Sequence, residues 1–148
     1  MLKITKPTLI VDRKKAIANI QMMAEKAKRS NVIFRPHFKT HISAEIGEWF
    51  RQCGVSKITV SSIDMALYFA SHGWKDITIA FPVNILQVEV LKILSQQVKL
   101  TLVVESAEVV NFLNKEIDHS VNIMIKIDTG YHRTGIWHEH VSEVKKVM

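Results

Sequence analysis

Cys53 is the chain's single cysteine, which excludes an intrachain disulfide and the stapled scaffold of a small secreted module. It falls on the apolar stripe of a predicted helix and is expected to pack rather than react. Proline and glycine are scarce as well, at 3 and 5 residues, so neither a low-complexity linker nor a disordered tract is indicated. No apolar run approaches the roughly 18 residues of a membrane span. The short, mixed stretch from Met1 to Pro7 does not read as a secretory leader, and a cytoplasmic protein with no membrane partner is the expectation. Acidic residues number 14 against 20 basic ones, a formal net charge of +6. Much of that excess sits in Arg13, Lys14, Lys15, Lys26, Lys28 and Arg29, on and just after the first predicted helix. Interleaved with apolar positions, these cations read as a solvated helix surface, so no nucleic-acid partner is expected. Nor does any predicted strand run into a glycine-rich phosphate turn, the signature of P-loop and dinucleotide folds.

What is present is an alternation of strands and helices. With 47% hydrophobic and 23% charged residues, the composition is that of an ordinary packed domain. Apolar, β-branched runs begin near Val32, Lys57, Asp76, Lys99 and Val121, a spacing of roughly 20 to 25 residues typical of parallel α/β architecture. Between them, apolar residues recur with helical spacing: Ile46, Trp49, Phe50 and Cys53, then Ile63, Ala66, Leu67 and Ala70, then Val110, Leu113 and Ile117. Gly54 and Gly73 are placed to end the first two helices, and Ser106 to begin the third. The segment from Leu86 to Leu94 is apolar nearly all round. An earlier unit comprises a short strand, Thr8 to Val11, then Asp12 as N-cap and a helix carrying Ala16, Ile17, Ile20, Ala24 and Ala27.

Two α/β architectures compete for this pattern. Length suits a flavodoxin-like open sheet, since a complete (β/α)₈ barrel takes about 250 residues. Against it stand the missing phosphate turn and the distribution of candidate polar residues over the ends of different strands, as barrel sites require. The expected fold is a partial (β/α)₈ TIM barrel, about five of eight βα units plus the N-terminal strand and helix. Such a piece would leave open sheet edges and exposed apolar surface, so the isolated chain is expected to be poorly soluble or oligomeric.

Two constellations carry candidate chemistry. In NVIFRPHFKTH, residues 31–41, an apolar run breaks at Pro36 and leaves Lys39 between His37 and His41 where a strand should end. A lysine amine becomes nucleophilic when burial or neighbouring cations lower its pKa, and Arg35, His37 and His41 are close enough in sequence to act. Alternation along a strand would put Arg35, His37 and Lys39 on one face. In IKIDTGYHRTG, residues 125–135, Lys126 and Asp128 alternate onto one face, Thr129 and Gly130 turn the chain, and Arg133 follows in the loop. Metal binding is not expected: His37 and His41 are not on a helix, and His138 with His140 has no nearby acid beyond Glu139.

RPHFKTH followed by IKIDTGYHRTG resembles the N-terminal barrel domain of the fold type III pyridoxal-phosphate enzymes. PTLIVD with Asn19, SSIDMALYFASHG and FPVN at residues 81–84 resemble its D-threonine aldolase and D-serine dehydratase branch more closely than true alanine racemases. The resemblance covers nearly all of the chain. It implies that residues 1–148 form an incomplete alanine racemase-like N-terminal barrel domain whose C-terminal β domain is absent. Lys39 then matches the lysine that forms the internal aldimine with pyridoxal 5'-phosphate and serves as acid and base at the substrate α carbon. Arg133 matches an arginine beside the cofactor's phenolic oxygen, and His37 is placed against the cofactor. Arg35, His41, Lys126 and Asp128 would line the site. The branch often carries a lysine where this chain has Ile42. The implied activity is a lyase acting on small D-β-hydroxy amino acids in a full-length homodimer, with any divalent metal held by ligands outside this chain. A racemase, a non-catalytic cofactor-binding protein and an inactive remnant are the alternatives.

Overall fold

The computed structural model describes residues 3–148. Asp12 caps the first helix, α1 (Arg13–Arg29), by accepting the Lys15 N–H at 3.1 Å. After a non-helical stretch and a single 3₁₀ turn at Phe38–Thr40, α2 spans Ala44–Gln52. Three βα units and a fourth strand follow in steady alternation: β1 (Ile58–Val60), α3 (Ile63–Ser71), β2 (Asp76–Pro82), α4 (Val88–Gln97), β3 (Lys99–Val104), α5 (Ala107–Glu116) and β4 (Asn122–Ile125). Two short strands, β5 (Ile127–Asp128) and β6 (Ile136–Trp137), lead into α6 (Val141–Val147). The observed β2 and β3 start at the expected residues, and β1 and β4 start one residue later than expected. Ser43, Ser62 and Ser106 cap α2, α3 and α5 by accepting the third N–H onward, as their side-chain oxygens are suited to do.

All pairings in the four-stranded sheet are parallel, and the strands lie in sequence order, β1-β2-β3-β4. A doubly wound open sheet reverses its order at a switch point; here the order runs on without reversal, as around a barrel. The chain is a partial (β/α)₈ barrel. One face of the sheet is dry. Ile58, Val60, Ile77, Ile79, Leu100, Leu102 and Val104 project from it onto Ala66, Phe69, Leu91, Leu94 and Leu113 of the helices, all buried. Each large aliphatic side chain so buried contributes about 1.5–3 kcal/mol.

Two expected strands are not formed. Residues 8–11 are irregular, with Leu9 88% and Ile10 61% exposed, and the 32–36 run reduces to one isolated parallel bridge, His37 to Thr59. Pro36 has no N–H to offer a ladder. It contributes its carbonyl alone, which accepts the Thr59 N–H at 2.9 Å. Among the described residues no helix is long and apolar enough to cross a membrane.

Candidate active site

The bridge at His37 decides how Lys39 is presented. Just past it the backbone tightens into the 3₁₀ turn, so Lys39 leaves the strand line and is exposed at the C-terminal side of the sheet, above β1. His37 caps that turn: its Nδ1 accepts the Lys39 backbone N–H at 3.3 Å. Its Nε2 faces the Ser61 hydroxyl, one residue beyond β1, at 3.5 Å. Burial and then the Lys39 ammonium lower the His37 pKa from the ordinary histidine value, which favours the neutral ring. Ile42 closes the turn with a φ of 40°, and its N–H reaches back to the Phe38 carbonyl at 3.2 Å. A β-branched residue in the left-handed region costs roughly 1–2 kcal/mol, so the surroundings over-determine this turn.

Beside it, the loops after β1 and β2 enclose a cleft of about 510 Å³ lined by Ser61, Ser62, Ile63, Phe81, Asn84 and Gln87 among others. Neither Ser61 nor this cleft was among the residues singled out from the sequence. The signal was a serine pair directly after a strand, which reads equally well as a helix cap, and Ser62 is one. A hollow of similar size lies between α1 and residues 32–34 and 53–57, before β1 starts and therefore at the other end of the sheet. Lys39 lines neither of the two; His37, beside it in the turn, faces Ser61 of the first.

Arg35 and His41 stand apart from the lysine. Arg35 reaches Asp76 at the start of β2, with Nη1 to Oδ1 2.7 Å, and Lys57 Nζ lies 3.8 Å from the same carboxylate. That cluster ties the N-terminal edge of the sheet. His41 turns into the aromatic core, stacked on Phe50 at 5.7 Å and edge-on to Phe38 at 4.5 Å, with its Nε2 buried and unpartnered. Burial lowers its pKa. His41, expected to line the site, packs its ring against Phe38, Phe50 and Phe69, whereas His37 stays beside the lysine, bridged to Thr59.

The second constellation forms around Asp128. Its Oδ1 accepts three backbone N–H groups, from Gly130 and Tyr131 at 3.0 Å and from His132 at 3.1 Å, while Oδ2 faces His132 Nδ1 at 3.3 Å. The hydrogen bonds from Gly130 and His132 lead in holding its carboxyl below the usual value. Asp128 thus organises the loop, leaving Arg133 exposed over the Tyr131 ring at 5.6 Å. Lys126 is half-buried where β4 passes into β5, its backbone N–H on the Val104 carbonyl. The structure brings Lys126 and Asp128 together under Gly135 and brings Lys39 together with His37. The two groups follow different strands on the same side of the sheet.

A lowered carboxyl pKa contributes stability that is complete above the unfolded value of about 3.9 and is lost as pH falls through the folded value. Stability is therefore expected to drop below about pH 4, and to drop less steeply in Asp128→Asn. Urea unfolding at stepped pH checks this, read through the fluorescence of Trp137, on which His132 stacks at 5.0 Å.

The model of the alanine racemase N-terminal domain matches residues 11–147. The chain belongs to this family. Within it, the chain is 29% identical over 140 residues to D-threo-3-hydroxyaspartate dehydratase of Delftia sp. (strain HT23), covering 92% of this chain and 37% of that protein. It is 25% identical over 138 residues to D-threonine aldolase of Arthrobacter sp., covering 90% and 36%. The solved structure of the Delftia sp. HT23 dehydratase superposes with a TM-score of 0.83 at 26% identity, over 93% of this chain and 37% of that one. This alanine racemase N-terminal domain chain thus spans a little over a third of the length of these relatives.

Proposed function

We propose that this chain is the lysine-bearing part of a pyridoxal-phosphate-dependent lyase for D-β-hydroxy amino acids, of D-threonine aldolase or D-serine dehydratase type. The observation that carries the reading is Lys39, exposed on a 3₁₀ turn at the C-terminal side of a parallel barrel sheet, two residues from His37, whose ring faces Ser61 in the lining of the cleft after β1 and β2. Barrel active sites lie on that side. The similarity to a hydroxyaspartate dehydratase and a threonine aldolase supports the substrate class.

The residues present fit the cofactor in part. Among the described residues no carboxylate pairs with Lys39, so its amine is free for covalent attachment at Nζ. Arg133 is exposed and supplies a fixed positive charge for the cofactor ring. Barrel phosphate sites follow strands seven and eight, so these residues are not assigned the phosphate. Pyridoxal phosphate, when bound, supplies an electron sink for cleavage at the substrate's α or β carbon. Lys39 Nζ would take the α proton where the β-hydroxyl leaves as water, or would deliver a proton to the α carbon once the bond between the α and β carbons has broken. Lys126, where β4 passes into β5, would line the same site, while Asp128 holds the Arg133 loop rather than a ligand. The full-length protein would work as a homodimer. Any divalent metal would be held by ligands outside this chain.

Titrating the chain with pyridoxal phosphate, reducing with borohydride and mapping the peptides tests the reading. The expected result is one saturable pyridoxyl label on Lys39, abolished by Lys39→Ala. With 15 lysines in the chain, surface amines will also react, so non-saturable label spread over many lysines would overturn it.

A further inference from the structure

Lys39 reaches solvent on a turn with little sheet to hold it, and what holds it instead is an imidazole. His37 is fixed from behind by its backbone bridge to Thr59. Its ring then spans from the Lys39 N–H, accepted at Nδ1, to the Ser61 hydroxyl at Nε2. Because Nδ1 accepts, the ring proton belongs on Nε2, where Ser61 Oγ can take it. Both nitrogens are therefore directed at the protein, and none remains for a ligand. Ile42, strained at the far end of the same turn, shows that the conformation around Lys39 is imposed by its neighbours rather than chosen by local preference.

We propose that His37 is a positioning residue rather than a cofactor contact: as a neutral ring held between Ser61 and the Lys39 amide, it fixes where the lysine amine emerges from the turn. Resting on the reading of Lys39 as the cofactor lysine, this assigns Ser61 a role as well, that of anchoring the ring's outer nitrogen. Burial and the neighbouring ammonium both favour the neutral ring that the clamp requires.

Two substitutions separate the clamp from other roles. In His37→Asn, the side-chain oxygen sits where Nδ1 was and is itself a good turn cap, so it keeps the Lys39 N–H bond. In His37→Ala that bond is lost. Two readouts apply to the 148-residue chain. One is hydrogen exchange of the Lys39 amide by NMR, which needs no cofactor. The other is the rate of saturable pyridoxyl labelling of Lys39 under borohydride.

The expected result is amide exchange at least about tenfold faster in His37→Ala, a tenfold loss being worth about 1.4 kcal/mol, with labelling slowed in parallel and both largely restored in His37→Asn. Ser61→Ala should shift both readouts in the direction of His37→Ala but by less. Unchanged exchange in His37→Ala would overturn the inference while leaving the Lys39 reading intact. Equal loss of labelling in the asparagine and alanine variants, with the amide still protected in His37→Asn, would overturn it in favour of a direct ring contact with the cofactor. If the wild-type chain shows no saturable label, the cofactor reading falls, and exchange at Lys39 still decides whether the clamp exists. Should His37→Ala fail to fold, Ser61→Ala and His37→Asn carry the comparison, and no change at the Lys39 amide in Ser61→Ala would count against Ser61 as the anchor.

Discussion

Phe38→Ala is expected to remove a large share of the chain's stability and to lower its urea midpoint sharply. Phe38 is fully buried, and its ring meets Phe50 and Phe69 at 5.0 Å and Trp74, perpendicular, at 5.1 Å. α2 lies so close that a Cβ on Gly47 would come within 3.2 Å of Phe38 Cε2 and 3.3 Å of Trp74 Nε1. The turn that holds Lys39, the helix after it and α3 therefore share this one ring as a packing centre. Truncating a buried phenylalanine costs about 3–5 kcal/mol, a large share of the roughly 5–15 kcal/mol that holds a domain together. Urea unfolding monitored by far-UV circular dichroism should show the midpoint collapse, while Phe38→Leu, which keeps most of the volume, retains a cooperative transition. A midpoint in Phe38→Ala close to wild type would mean that the aromatic cluster is not the core of this half of the chain.

Gly135→Ala should be nearly as damaging, through the backbone. Gly135 has φ 108°, where a side chain is strained, and a Cβ there would lie 2.8 Å from Asp128 N and 2.9 Å from Ile127 C. Those are backbone atoms of β5, and they cannot rotate aside. The pairing of β5 with β6 depends on that closeness, since the Ile136 N–H reaches the Lys126 carbonyl at 2.9 Å and the His138 N–H reaches the Asp128 carbonyl at 3.1 Å. Left-handed strain of about 1–2 kcal/mol and overpacking of about 1–3 kcal/mol act together. The expected loss is about 3 kcal/mol, concentrated in residues 126–138. Hydrogen exchange would show it as deprotection of the Ile136 and His138 amides while β1 to β3 stay protected. Protection of both amides at wild-type levels in the alanine variant would refute the prediction.

Much of this fold is legible in the sequence because its strands have partners on both sides or a helix-covered face, so that β-branched runs such as Ile77 to Ile79 and Leu100 to Val104 coincide with ladders. The same signal misleads at Thr8 to Val11 and at Val32 to Phe34. Those runs have the composition of strands, but composition does not say whether a neighbouring backbone is there to pair with. Val32 and Ile33 remain 60% and 66% exposed. The site shows a parallel division. Lys39 stood out by its company, and His37 lies beside it. His41, equally close in sequence, was lost to the core because a 3₁₀ turn advances the chain by about 120° per residue where a strand would alternate. Arg35 was lost to a carboxylate, Asp76, that nothing in its own segment announces. Ser61 could be found through the register of β1 against His37, which no local pattern encodes.

That register has a further consequence. His37, Thr59, Thr78, Thr101 and Asn122 are successive partners across the sheet, so their side chains stand in one row on the face away from the buried aliphatics. Barrel interiors are generally filled at such a level by bulky branched hydrocarbons. Here the level is a band of hydroxyl, amide and imidazole, and among the described residues the buried Thr78 Oγ1 has no partner. An unsatisfied hydroxyl is costly, so this row is not arranged for tightest packing. It lines the inner wall of the barrel beneath the lysine with polar side chains in place of hydrocarbon.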